Sequence, residues 1–230
     1  VQRLAVKARQ AVDVDDPEQL GAAYFVLGWS RVAQGKDGAD ALMLQAIEAF
    51  RRSGNRVRQA ITLSNVGGVC YWEGRWDDAM SYYERGREES TKVGNVVDAA
   101  TASMNIAEIL TDRGEHAEAE AMLQKTLPVW KSSEYRYFLG ACHWMLGRVS
   151  LRANRIDEAL ARFAEARKVL TEVGAEVEVH DVDARVAECR TLKGDAEGAL
   201  ALADEVLGRT ESAAAVERLK PQLNRVRGYA

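Results

Sequence analysis

Proline is scarce in this chain, with three residues in 230. So few helix breakers leave the backbone free to be helical almost throughout. Cysteine is equally scarce: Cys70, Cys142 and Cys189 are scattered and form no CxxC spacing. That excludes a disulfide framework and fits a reducing, cytoplasmic setting. Positive charge is in deficit, since 31 Lys and Arg face 35 Asp and Glu for a formal net charge of −4. A nucleic-acid footprint would show the opposite balance. No apolar run approaches the roughly 18 residues of a membrane span. The opening Val1-Gln2-Arg3 has no initiator Met and no signal-peptide pattern, which predicts a piece cut from a longer protein. Chemical signatures are missing as well: there is no P-loop, GxGxxG, HExxH or GxSxG. His116, His143 and His180 lie far apart and begin no ligand spacing. These absences predict no catalytic residue, no metal and no cofactor.

What the chain does have is a period of 40 residues. Gly67, Ala107, Gly147 and Ala187 recur at that interval, as do Gly74, Gly114, Asn154 and Gly194, and Ala79, Ala119, Ala159 and Ala199. A fixed period in this range marks a solenoid whose units bury their apolar faces against one another. Ala60, Leu63, Gly67 and Cys70 share one helical face, with Cys70 a buried small hydrophobe. After a break at Gly74-Arg75, a second helix runs from Trp76 to Val93 with Ala79, Tyr83 and Gly86 inward. Gly94-Asn95 ends it. Each repeat therefore reads as helix, tight turn, antiparallel helix and short link, an all-α fold.

Residues 1–17 read as the trailing helix of a preceding repeat or a linker, with Leu4, Ala8 and Ala11 on one side. Five repeats follow at 18–55, 56–95, 96–135, 136–175 and 176–212, the first one residue short near Gly35 to Gly38. Asp16 is the expected N-cap of the first, with Pro17 at its first helical position. Residues 213–230 read as a C-terminal capping helix through Val216, Leu219, Leu223 and Val226, kinked or delayed by Pro221. Pro128 is expected to bend the helix that contains it. The small residues at Gly67, Ala107, Gly147 and Ala187 predict a close helix crossing, with the Ala79 series as its other side. Trp76 and Trp130 are expected in the core, and His116 packed with a polar tip. The acid pairs Asp77-Asp78 and Glu88-Glu89 read as a solvated face.

These positions resemble the tetratricopeptide repeat, in Val66-Gly67, Gly74 and Ala79; Ile106-Ala107, Gly114 and Ala119; Leu146-Gly147, Asn154 and Ala159; and Val186-Ala187, Gly194 and Ala199. The resemblance covers nearly the whole chain and implies a right-handed α-solenoid of about five hairpins. The longer period is similar to that of kinesin light chains. A narrower resemblance, to the C-terminal repeat region of bacterial class III adenylate/guanylate cyclases with an AAA-type ATPase domain, rests on Tyr71 to Ala79, Asn105 to Leu110 and Asp183 to Cys189. It implies a regulatory module of a larger signalling protein. ATPase-linked transcriptional regulators carry similar arrays.

In such arrays the first helices line a concave groove, one residue beyond the core positions. That places Asn65, Tyr71, Trp72, Met104, Asn105, Glu108, Asp112, Trp144, Arg148 and Arg152 on it. The resemblance makes the equivalent Asn65 and Asn105 candidates to bond an extended ligand backbone. Tyr71, Trp72, Met104 and Trp144 would put large apolar surface on a wet face, which marks an interaction site. Arg148 and Arg152, one turn apart, are expected opposite Glu108 and Asp112, as an ion-pair set or as a floor that selects a ligand end. The Lys and Asn pattern that clamps a chaperone's terminal carboxylate is missing, so that ligand is not expected. The expected partner is a protein or peptide, or upstream domains of the same chain. A homodimer through the first repeat, near Tyr24 and Phe25, is the alternative.

Overall fold

A computed structural model describes residues 16–209 and Val226. Among the described residues the fold is all-α, with ten helices and no strand. They are α1 (Pro17–Val32), α2 (Ala39–Ser53), α3 (Arg56–Trp72), α4 (Trp76–Lys92), α5 (Val96–Asp112), α6 (His116–Ser132), α7 (Arg136–Arg152), α8 (Ile156–Glu172), α9 (Glu176–Leu192) and α10 (Ala196–Arg209). Residues 1–15 of the expected trailing segment at 1–17, and most of the expected cap, lie outside the described residues. Val226 is helical and packs with Ala184, Ala187, Ala199, Ala203 and Val206, the core of the last hairpin.

Local signals set the helix ends. Asp16 accepts from the Glu18 backbone N–H at 2.9 Å, and Pro17 starts α1, as the sequence implies. Asn55 caps α3 by accepting from the Arg58 N–H at 3.0 Å. Gly94, at φ 71°, stops the second helix of its repeat in the left-handed region. Asn154 adopts φ 59° where the other equivalent turns use glycine, a conformation asparagine tolerates better than most residues. Glu134 replaces glycine in one link, and there Ser133 leaves the helix in an extended conformation instead. Helix α6 continues through Pro128 to Ser132.

The chain divides into two compact units, Val1–Ile109 and Leu110–Ala230. In the first, α1 packs on α2, α2 on α3 and α3 on α4. In the second, α6, α7, α8, α9 and α10 pack in succession. Hairpins are stitched along their turns at nearly periodic positions. Arg75 reaches Asp40 at 3.1 Å, Arg155 reaches Glu120 at 2.6 Å, and Lys193 reaches Asp157 at 2.6 Å. Each pair joins a turn to the second helix of the preceding hairpin. Partly exposed pairs of this kind contribute little stability individually.

The helix crossings are as close as the small residues imply, and at Gly67 and Gly147 the side chain met first stands four residues beyond the alanine series. A Cβ at Gly67 would meet the Tyr83 ring at 2.8 Å, and one at Gly147 would meet the Phe163 ring at 2.5 Å. Bare backbone is thus roofed by an aromatic ring four residues beyond Ala79 or Ala159. Leu123 and Ala203 hold the ring's register in the repeats whose small residue is alanine. Ala187 and Ala203 belong to one packed cluster. Residue sizes on the two helices therefore compensate: glycine takes a large side chain, as Tyr83 and Phe163, and alanine a smaller partner.

All three cysteines are free and buried, Cys70 among them as expected. Burial pushes the Cys189 thiol up to about 12, so it stays protonated and unreactive. Trp130 is fully buried and stacks on Phe138 at 5.0 Å. Trp76 departs from the expected core position. It is 37% exposed and stacks on Tyr71, with centroids 6.4 Å apart, at the mouth of the turn. His116, Tyr24 and Phe25 are half-buried.

Candidate functional site: the first-helix faces

In the first unit, α1, α3 and α5 present equivalent faces. Asn65, Tyr71, Asn105 and Glu108 are half-buried there, and Trp72 is 67% exposed. A tryptophan so open to solvent costs hydration free energy unless something covers it. Its neighbour is Trp29 of α1, whose ring meets it edge to face at 6.5 Å. The 40-residue periodicity does not mark Trp29. The first repeat is one residue short, so a strict 40-residue count passes over it. Gly28 and Gly67 are both crossing glycines, against Met43 and Tyr83. Counting from them puts Trp29 in the register of Gly68.

Met104 is corrected by the structure: it is buried, at 5% exposure. Its equivalent one repeat earlier, Ser64, shows why. Ser64 Oγ lies 2.7 Å from where a Cβ on Gly86 would stand, so this register turns toward the second helix of its own hairpin. Asn105, one residue and about 100° further round, clears that seam. Met145, the Asn105 equivalent one repeat on, is buried nonetheless, at 6%.

In the second unit the face is built from the end of α5 with α7 and α9. The Arg148 guanidinium lies over the Trp144 ring, 4.9 Å from its centroid, and donates to Asp112 at 3.1 Å. That side chain is only 12% exposed. The expected pairing of Arg148 with Asp112 therefore exists, and Trp144 supports it from below. A cation over a tryptophan face contributes about 1–2 kcal/mol when desolvated. Arg152 is exposed at the rim. On α9, Arg185 donates to Glu188 at 3.0 Å. Burial holds the Arg185 guanidinium below its ordinary value, offset in part by Glu188, while Arg148 acts in the same direction as burial. Trp144 Nε1 and Arg185 Nε are buried donors without a partner among the described residues. Each such donor costs about 1–3 kcal/mol until an acceptor reaches it.

The arrangement holds no nucleophile beside a base. His143 is buried, and burial lowers its pKa, which keeps the ring neutral. Among the described residues no group of three or more His, Cys, Asp or Glu is placed to hold a metal ion. No helix among them is long and apolar enough to cross a membrane. A shallow hollow along α4, lined by Ser81, Glu84, Arg85 and Glu88, mixes charges of both signs and lies on a second helix.

The family model described as tetratricopeptide repeat matches residues 98–172. No curated protein sequence matches the chain. Solved structures do. The apo form of RapI superposes with a TM-score of 0.74 at 14% identity, over 99% of this chain and 90% of that one. A Podosopora anserina putative kinesin light chain with nearly identical TPR-like repeats gives 0.68 at 12% identity, over 90% and 99%. The Rap conjugation gene regulator of plasmid pLS20, solved in complex with the Phr* peptide, gives 0.65 at 14% identity, over 99% and 72%. At these identities the likeness shows the fold, an α-solenoid.

Proposed function

We propose that this array is a non-catalytic scaffold that binds an extended peptide or protein segment along the faces of its first helices. The observation that carries the reading is the open ring of Trp72 on a first helix, 67% exposed. An extended chain supplies the apolar side chains that would cover it. The similarity to a Rap protein solved with a peptide supports the same reading.

In its wider setting the module regulates a larger signalling protein in the cytoplasm. The resemblance of Tyr71 to Ala79 and Asp183 to Cys189 to cyclase repeats favours a nucleotide cyclase as that protein. An ATPase-linked transcriptional regulator is the alternative, and the upstream coding sequence separates them by its paired-Asp metal site or its helix-turn-helix. Self-association through α1, where Tyr24 and Phe25 are half-buried, is the competing use of the module. Sedimentation as a monomer at high concentration removes it.

An array of acetylated ten-residue peptides tests the binding reading. Peptides retained by the wild-type chain should bind the Trp144→Ala/Arg148→Glu variant at least tenfold more weakly, with helicity unchanged. An Arg85→Ala/Lys168→Ala variant, altered on second helices, should bind as the wild type does. Loss in the second-helix variant, or no bound peptide at all, overturns the reading.

A further inference from the structure

Three features invite a site beyond the general groove. The paired Arg148 and Trp144 are engaged by Asp112 and by each other. The buried Asp183 is satisfied by arginines and closed to ligands. The face around Gly68 is different: there the tip of a buried side chain looks out through a gap between helices.

Gly68 is half-buried on α3, and a Cβ built there would meet only the Tyr83 hydroxyl, at 3.6 Å. The rest of the space that a side chain would ordinarily fill is open. Tyr83 comes from α4 and is 5% exposed, with its ring lying over Gly67. The ring carbons face Gly67 and only the oxygen reaches Gly68, so the hydroxyl is aimed through the helix crossing into the gap. Among the described residues nothing hydrogen-bonds that hydroxyl. A phenol so placed is a neutral donor whose bond is unmade.

The combination is peculiar to one repeat. In the register of Gly68 the other repeats carry Trp29, Glu108, Arg148 and Glu188, and in the register of Tyr83 they carry Met43, Leu123, Phe163 and Ala203. The second repeat alone sets a hydroxyl behind a missing side chain. A glycine on such a face lets another backbone approach closely. One turn further on the same side of α3, Trp72 is 67% exposed, and Trp29 holds its ring edge-on at 6.5 Å. A chain lying on Gly68 therefore meets a hydrogen-bond donor and then an open indole. Building on the peptide-binding reading, we propose that the gap over Gly68 seats a backbone carbonyl of the bound peptide, which accepts a hydrogen bond from the Tyr83 hydroxyl while a neighbouring apolar side chain covers Trp72.

The test uses the full chain and the peptides that the array captures. Gly68→Ala puts a methyl into the gap at ordinary contact distance and suits a helix, so helicity is retained. It should weaken binding at least tenfold. Tyr83→Phe keeps the ring over Gly67 and removes only the donor, which should weaken binding about fivefold, the worth of one neutral hydrogen bond. An alanine scan of each peptide against both the wild type and Tyr83→Phe separates backbone from side chain. The Tyr83→Phe loss should persist through every substitution; a substitution that cancels it makes a peptide side chain the acceptor and overturns the backbone assignment. Gly68→Ala or Tyr83→Phe binding like the wild type overturns the site, and the peptide reading still stands if Trp144→Ala/Arg148→Glu loses those peptides. An array that captures nothing overturns both readings.

Discussion

Gly147→Ala lowers the unfolding free energy by about 2 kcal/mol, the resultant of two opposed effects. In mid-helix, alanine is favoured over glycine by about 1 kcal/mol. Here, though, the new methyl would stand 2.5 Å from the ring of Phe163, which is fully buried and has nowhere to turn. Overpacking of that kind costs about 3 kcal/mol, so the clash wins. Gly208 of α10 is the control, since a Cβ there meets nothing within 4 Å. Gly208→Ala should be neutral or stabilising by up to about 1 kcal/mol. Urea unfolding of the two variants checks the opposite signs. Adding Phe163→Leu to Gly147→Ala should cost less than the two changes summed, because the smaller partner re-creates the alanine pairing of the other repeats.

The second large effect comes from an ion cluster in the last hairpins. Asp183 is 3% exposed, yet it carries a charge that Arg167 of α8 meets at 2.7 Å and Arg209 of α10 at 3.6 Å. The arginines are far more open, at 49% and 36%. Removing both, as Arg167→Met/Arg209→Met, strands a buried carboxylate and should cost about 3 kcal/mol. Asp183→Leu removes the charge itself and releases two guanidinium groups into water, so it should cost well under half of that. Thermal unfolding in low salt distinguishes the cases. Equal losses for the two variants would mean that packing around residue 183, not its charge, matters.

The repeat period carried most of the fold in the sequence. Small residues at 67, 107, 147 and 187 mark crossings because they recur inside the first helices, where no turn asks for glycine. The identity of the roofing residue was legible too, in the pairing of Gly67 with Tyr83 and Gly147 with Phe163, but only if sizes are read across both helices together. Trp29 was hidden by one deleted residue in the first turn, which shifts every later count. Met104 was misplaced because a helical step of 100° puts adjacent residues on opposite sides of a seam, and apolar character fits either side. The buried charge of Asp183 left no pattern at all. Its partners lie on two other helices, 16 and 26 residues away in sequence. The turn arginines failed to stand out for a similar reason, since their partners belong to the preceding hairpin.

Amide hydrogen exchange with and without a peptide taken from the array tests the central claim most directly. Binding along the first helices predicts slowed exchange in α1, α3, α5 and α7, with α2, α4, α6 and α8 unchanged, since protection follows the elements whose opening the ligand opposes. Slowed exchange confined to the second helices, or spread evenly over both sets, would contradict it.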